Sequence, residues 1–192
     1  MEGRVIVAII GSAGSGKSTL GQAILRSSRM GRRLAFAEPI KRALAALFGI
    51  PRISLDQEHF KRQVEPVSGK TYRQLLQTLG TEWGRDIVDK NLWVNLGIAD
   101  IEADARHRVF VVDDARFLNE VKALRSSGIK CFVVRVVRTN AAPPGEHISE
   151  REQSDIFADL TYYNEPCAKN KAVTQAKNWL ASLGKEILKE IQ

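Results

Sequence analysis

The feature that most constrains this chain lies near its start. An almost continuous apolar run, Arg4–Ile10 (RVIVAII), passes directly into Gly11-Ser12-Ala13-Gly14-Ser15-Gly16-Lys17-Ser18-Thr19. A run of that kind reads as a strand buried on both faces, which needs helices above and below its sheet. The glycine-rich stretch fits G-x-x-x-x-G-K-[ST], a loop whose backbone N–H groups wrap around phosphates. It follows a strand and opens a helix, as that mechanism requires, and the helix N-terminus adds positive potential. The whole stretch is expected to hold ATP. Lys17 is expected to reach the β- and γ-phosphates, and the Ser18 hydroxyl to ligate Mg²⁺. The loop leaves open where the terminal phosphate goes.

The rest of the chain alternates between apolar strands and helices. Ser18–Ser28 reads as a helix and Leu34–Ala37 (LAFA) as a short second strand. Glu38-Pro39 starts another helix, because proline suits a first turn. Ile40, Ala43, Leu44, Leu47 and Phe48 form one apolar face, ended by Gly49 and Pro51. Residues 50–70 are basic and loop-rich. Thr71–Arg85 reads as a helix with Tyr72, Leu75, Leu76, Leu79 and Trp83 on one stripe, and Asn91–Ala105 as a further helix.

Arg108–Val112 (RVFVV) is a second buried strand, followed by a helix from about Asn119 to Ser126 and a third long strand, Ile129–Val137. The composition of residues 139–147 (TNAAPPGEH) predicts a flexible connection, Ser149–Ala158 a helix, and Leu160–Asn164 a last strand. Val173, Ala176, Leu180, Leu183, Ile187 and Ile191 recur at three- and four-residue steps. They predict an amphipathic C-terminal helix that packs on the sheet or pairs with a second copy. The pattern as a whole predicts an α/β three-layer fold with a mainly parallel sheet and its ligands at the strand C-termini.

The second buried strand closes on Asp113-Asp114, where a metal-side carboxylate is expected. One of the pair should serve the Mg²⁺ water shell, with Asp113 the first candidate. The other, Asp114, could orient the acceptor or its sugar. Arg116 lies three residues after Asp113, close enough for the same crevice. Phosphoryl transfer is catalysed mostly by positioning and charge neutralisation. A phosphate acceptor is already anionic near neutral pH, so it needs cations more than a histidine base. Lys41 and Arg42 follow the second strand, Arg73 and Arg85 lie on the Thr71–Arg85 helix, Arg135 and Arg138 end the third long strand, and Arg151 follows the flexible segment. Their placement after successive strands suits two phosphate sites in one crevice, with Arg138 the candidate for a catalytic cation.

Four stretches together, FAEPIKRALAALFG (Phe36–Gly49), YRQLLQTLGTEWGRD (Tyr72–Asp86), VVDDARFLNE (Val111–Glu120) and HISE (His147–Glu150), resemble the bacteriophage-type deoxynucleoside monophosphate kinases. The glycine loop is shared by countless proteins, whereas LQTLGTEWGR and DDARFLNE are far more specific. The resemblance extends through most of the chain. It implies a P-loop fold with a five-stranded parallel core, an acceptor-binding insertion at about 50–105 and a small lid at about 139–158. It implies Mg²⁺-dependent transfer from ATP to a deoxynucleoside monophosphate. By position, Gly11–Thr19 would hold the donor and Lys41 would touch the acceptor phosphate. Arg73, Gln77 and Arg85 lie in the block that faces the acceptor, and the Gln77 amide is able to pair with a base edge. Trp83 is expected to pack in the core rather than stack on a base, and Trp93 is left open between the two. His147 and Glu150 fall in the lid-like region, with Glu150 a candidate for the acceptor. Asn164 looks like the adenine-side turn, although the tail EPCAKNK after it departs from the glycine-bearing loop of related kinases.

Composition narrows the alternatives. The net charge of +7 sits in residues 1–70, which hold 12 Lys and Arg against 5 Asp and Glu; the remainder is balanced at 17 and 17. A basic first third suits anionic ligands, nucleotides or nucleic acid. There is no dense basic block interleaved with aromatics, which argues against an ATP-driven nucleic-acid-binding protein. Another small-molecule kinase, such as a dephospho-coenzyme A kinase, would share loop, sheet and lid but not LQTLGTEWGR. A degenerate, non-catalytic regulator is at odds with intact Lys17, Ser18 and Asp113. Cys131 and Cys167 read as two reduced thiols of a cytoplasmic protein. No apolar run reaches the ~18–20 residues of a membrane span, and Val5 to Ile10 read as a strand rather than a leader.

Overall fold

The computed structural model describes residues 3–12, 14–138 and 155–164. Expectations placed on Ala13, His147, Glu150, Arg151, Cys167, most of the lid-like stretch and the C-terminal helix lie outside the described residues. The chain divides into two compact units, one of Met1–Ala35 with Ile98–Gln192, the other Phe36–Gly97.

The first unit is built on five strands, β1 (Val5–Ile10), β2 (Gly31–Leu34), β3 (Val109–Val112), β4 (Lys130–Arg138) and β5 (Leu160–Asn164). They run in the order β2-β3-β1-β4-β5, and every pair is parallel. The central place falls to the most apolar run. All six residues of β1 are buried, as a strand covered on both faces must be. Helix α1 (Lys17–Ser27) lays Leu20 and Ile24 on Val7, Ile9, Val111, Val134 and Val136. Its Gly21 allows the close approach, since a Cβ there would meet Val111 Cγ1 at 3.3 Å and Ile9 Cδ1 at 3.5 Å.

Two expectations in this unit are corrected. The second strand is Gly31–Leu34, not Leu34–Ala37, and Ala37 is already in the right-handed helical region. An edge strand carries charges that a central strand would not. Arg32 uses this freedom to bind Asp104 at 2.8 Å and Asp100 at 2.6 Å. Residues 155–158 are not helical. Here Arg125 and Arg135 hold the carbonyls of Phe157 (3.1 Å) and Ile156 (2.6 Å), and Asp159 accepts the Val133 N–H at 2.7 Å. Those bonds draw the chain alongside β4 and into β5. Cys131 on β4 is a free thiol that burial pushes up to about 12, so it is inert near neutral pH.

Asp104 ties the turn before β3. It accepts the N–H groups of Arg106 (2.8 Å) and His107 (3.0 Å) and meets His107 Nδ1 at 2.8 Å. The His107 N–H is the main influence. With the Arg106 N–H and the Arg32 guanidinium it outweighs desolvation, and the carboxyl is held well below the usual carboxylate range. A depressed folded-state value gives stability that is complete above the unfolded value of about 4 and is lost as pH falls from there through the folded value. Asp104→Asn is therefore expected to lower the melting temperature at pH 7. Its gap from wild type should narrow steadily below pH ~4, and a pH-independent gap in paired melting curves would refute this account.

The second unit contains helix α2 (Glu38–Phe48), a 3-10 turn (Arg52–Asp56), the short α3 (Glu58–Lys61), α4 (Tyr72–Gln77) and an eleven-residue π-helix (Thr78–Val88). Helix α5 (Leu92–Ala103) and α6 (Leu118–Ser126) complete the described elements. The unit's core is Leu44, Ala45, Leu55 and Tyr72, with the Tyr72 ring stacked 4.8 Å from Phe60. Leu47, expected on the buried face of α2, is exposed. Thr71 caps α4 by accepting the Gln74 N–H at 3.2 Å, while Gln74 Oε1 takes the Thr71 N–H at 2.9 Å.

The expected single helix over Thr71–Arg85 thus changes to a wider winding at Thr78. The change coincides with Gly80 and Gly84, against which Ile40 and Trp93 press. Trp93 is the buried aromatic and donates its indole N–H to the Gly80 carbonyl at 2.7 Å. Trp83 is 47% exposed, not a core residue, with its ring 6.2 Å from that of Trp93.

Candidate active site

The glycine loop leaves the C-terminal end of β1 and turns into α1. Gly11 has φ 142°, and a Cβ there would collide with the Val136 carbonyl of β4, so no other residue fits. Gly16, also left-handed at φ 107°, is the cap of α1. Lys17 donates from Nζ to the Gly11 carbonyl at 2.6 Å and the Ser12 carbonyl at 2.8 Å. The Ser15 N–H bonds the Ser12 carbonyl at 3.2 Å. Gly14 is exposed at the tip, and Ser18 and Thr19 are exposed in the first turn of α1. Ser15 Oγ is fully buried with no partner among the described residues.

Two side chains from neighbouring strands reach this loop. Arg138, the last residue of β4, donates from Nη1 to the Gly14 carbonyl at 3.2 Å. Asn164, the last residue of β5, donates from Nδ2 to the Ser15 carbonyl at 2.8 Å. The structure thus brings Arg138 and Asn164 to the phosphate loop itself.

Asp113 follows β3 and is buried. Its Oδ1 accepts from Arg33 of β2 through Nε and a terminal nitrogen, both at 2.9 Å. Sequence reasoning missed Arg33. Arg33 pairs in register with Val111, two residues before Asp113, a placement that only the folded sheet fixes. Asp114 is half-buried and Arg116 exposed. The turn between them and α6 is fixed by the buried Glu120, whose Oε2 accepts the N–H groups of Arg116 (2.7 Å) and Phe117 (3.1 Å).

In the second unit three of the predicted cations stand in ion pairs. Lys41 binds Asp56 at 2.7 Å and Arg42 binds Glu38 at 2.9 Å. Arg52, not anticipated, bridges Glu38 and Asp56, and Arg73 pairs with Glu58. Partial burial would raise the Glu38 and Asp56 carboxyls, but the hydrogen-bonded Arg52 and Arg42 on the first, and Lys41 and Arg52 on the second, hold both below their ordinary values. Gln77 is exposed at the end of α4, and Arg85 is half-buried in the π-helix. Among the described residues no helix is long and apolar enough to cross a membrane.

The parallel sheet, the strand order and the loop after the central strand are those of a P-loop α/β fold. TT1252 from Thermus thermophilus superposes with a TM-score of 0.52 at 16% identity, over 95% of this chain and 99% of that one. A shikimate kinase from Aquifex aeolicus gives 0.45 at 16% identity, covering 95% and 98%. An APS kinase from Mycobacterium tuberculosis gives 0.46 at 15% identity, covering 96% and 99%. Comparison with curated proteins gives no match. The family model for deoxynucleotide monophosphate kinase matches residues 55–167, more than half of the chain. That range takes in the Arg73–Arg85 block, both aspartates and the strands that carry Arg138 and Asn164. With a complete phosphate loop preceding it, the protein is an ATP-dependent phosphotransferase, and the chain belongs to the deoxynucleotide monophosphate kinase family.

Proposed function

We propose that this protein transfers the γ-phosphate of ATP to a deoxynucleoside monophosphate, giving the deoxynucleoside diphosphate and ADP. The observation that carries the reading is the family match through Arg73, Gln77, Arg85 and Asp113, beside a complete loop at Gly11–Thr19. Lys17 neutralises charge on the transferring group, aided by Arg138 and Arg116. The acceptor phosphate is met by Lys41, Arg42, Arg73 and Arg85. The Arg73–Glu58 pair is exposed, and exposed pairs are worth only about 0–1 kcal/mol, so an incoming phosphate can replace Glu58 there at little cost. The exposed Gln77 amide suits a base edge, and Asp114 suits the sugar.

Ser18 would hold Mg²⁺ together with Asp113, whose Oδ1 accepts from Arg33, so that the carboxylate would serve the ion through Oδ2. The Asp113 carboxylate is buried at the end of β3, and a Cβ on Gly21, one turn along α1 from Ser18, would lie 3.7 Å from Asp113 Cβ. Among the described residues no group of three or more His, Cys, Asp or Glu side chains gathers to hold a metal. A hard cation bound by a hydroxyl and one carboxylate takes its other oxygens from phosphates and water, so it would arrive with the nucleotide. There it would supply charge neutralisation.

A coupled assay of ADP release across all ribo- and deoxynucleoside monophosphates tests the reading. ADP release should depend on a deoxynucleoside monophosphate and be matched by its diphosphate. ATP consumption at one rate with or without any mononucleotide would overturn it.

A further inference from the structure

The last rung of the β4–β5 ladder pairs Arg138 with Asn164. Both side chains turn onto the phosphate loop and take consecutive carbonyls, Arg138 that of Gly14 and Asn164 that of Ser15. We propose that Asn164 is a positioning residue that sets the shape of the phosphate loop, rather than a reader of the adenine base.

The argument is geometric. No peptide bond of the described chain is cis, so the Ser15 C=O and the Gly16 N–H lie in one plane and point in opposite directions. Holding the Ser15 carbonyl towards β5 turns the Gly16 N–H away from β5, at the mouth of α1 where the unpaired helix donors collect. A carbonyl can be met only by a donor, which fixes the orientation of the Asn164 amide and engages its NH₂ group on the loop. The contact is close: a Cβ on Gly16 would lie 2.5 Å from Asn164 Nδ2. Glycine at this position is therefore demanded twice, by φ 107° and by the amide seated over it. An asparagine on a strand end has one short, stiff side chain. It holds a loop carbonyl more firmly than the long Arg138 can.

The inference rests on the loop as the donor-phosphate site, and the test separates the two. Wild type, Asn164→Ala and Asn164→Asp are titrated calorimetrically with ATP, GTP and inorganic tripolyphosphate, and melted without ligand. Losing the donor to a buried carbonyl is expected to weaken ATP and tripolyphosphate alike, by about 10-fold, with the ATP-to-GTP ratio unchanged. Asn164→Asp keeps the size but faces Ser15 with an acceptor, so it should weaken both at least as much. Should both variants bind tripolyphosphate as wild type does, the clamp is overturned. A changed ATP-to-GTP ratio with tripolyphosphate affinity intact would instead make Asn164 a base contact. A wild type that binds neither ATP nor tripolyphosphate would remove the donor site, and the clamp with it.

Discussion

Lys17→Ala is expected to lower kcat by at least ~100-fold, the usual scale for losing a charge contact made to a transferring group. The ammonium is held in place before it acts: it bridges the carbonyls of Gly11 and Ser12 at 2.6 and 2.8 Å, across the mouth of the loop. Removing it has two separable consequences. Two loop hydrogen bonds vanish, each worth roughly 1 kcal/mol, which should raise the KM for ATP modestly. The cation proposed to face the γ-phosphate vanishes as well, and that loss should fall on kcat because the charge it would meet is largest in the transition state. Lys17→Arg separates the two, since it keeps the charge in a fork that cannot occupy the same point. It should bind ATP nearly as well as wild type while recovering little of the rate. A Lys17→Ala enzyme of near-normal kcat would remove Lys17 from the chemistry altogether.

How much of this was legible in the residues depended on whether the signal was local. β1 and its loop could be read because one buried strand and one glycine pattern carry their own geometry. The edge strand was misplaced for the opposite reason. Gly31-Arg32-Arg33-Leu34 has no apolar period, and its charges pair with Asp100, Asp104 and Asp113, up to eighty residues away. Arg33 was missed for the same cause. Lys41, Arg42 and Arg73 were identified as cations, but their partners Asp56, Glu38 and Glu58 come from turns whose positions the sequence does not encode locally. Asn164 was expected at an adenine-side turn, and its contact with Ser15 depends on a register between two strands that only the folded sheet fixes. Trp83 was placed on the Thr71–Arg85 stripe, and Trp93 was left open. The π-helix breaks that stripe and leaves Trp83 exposed, while Trp93 of α5 is buried.

That π-helix carries the second large effect. Gly84→Ala is expected to destabilise the protein, against the sign that helix propensity alone predicts. In an ordinary helix alanine is preferred to glycine by about 1 kcal/mol, and the backbone of Gly84 is not in the left-handed region, so nothing local forbids it. The obstacle is Trp93. A Cβ on Gly84 would lie 2.6 Å from Cε2 and 2.7 Å from Nε1 of the indole. The ring cannot slide away without breaking its 2.7 Å bond to the Gly80 carbonyl. Overpacking a rigid ring costs about 1–3 kcal/mol and sometimes more. Leaving that carbonyl unmet adds about 1–3 kcal/mol. Less the ~1 kcal/mol of propensity, the net loss is about 1–5 kcal/mol, which at roughly 2–4 °C per kcal/mol for a chain of this size lowers the melting temperature by about 2–20 °C. Gly80→Ala is the internal control. Its nearest neighbour is the flexible Cδ1 of Ile40 at 3.1 Å, which a rotamer change relieves, so its melting temperature should stay within about 3 °C of wild type. Equal effects at the two positions would mean that backbone, not the indole, decides them. Unequal effects would tie the glycines of LGTEWGR to the seating of a single tryptophan.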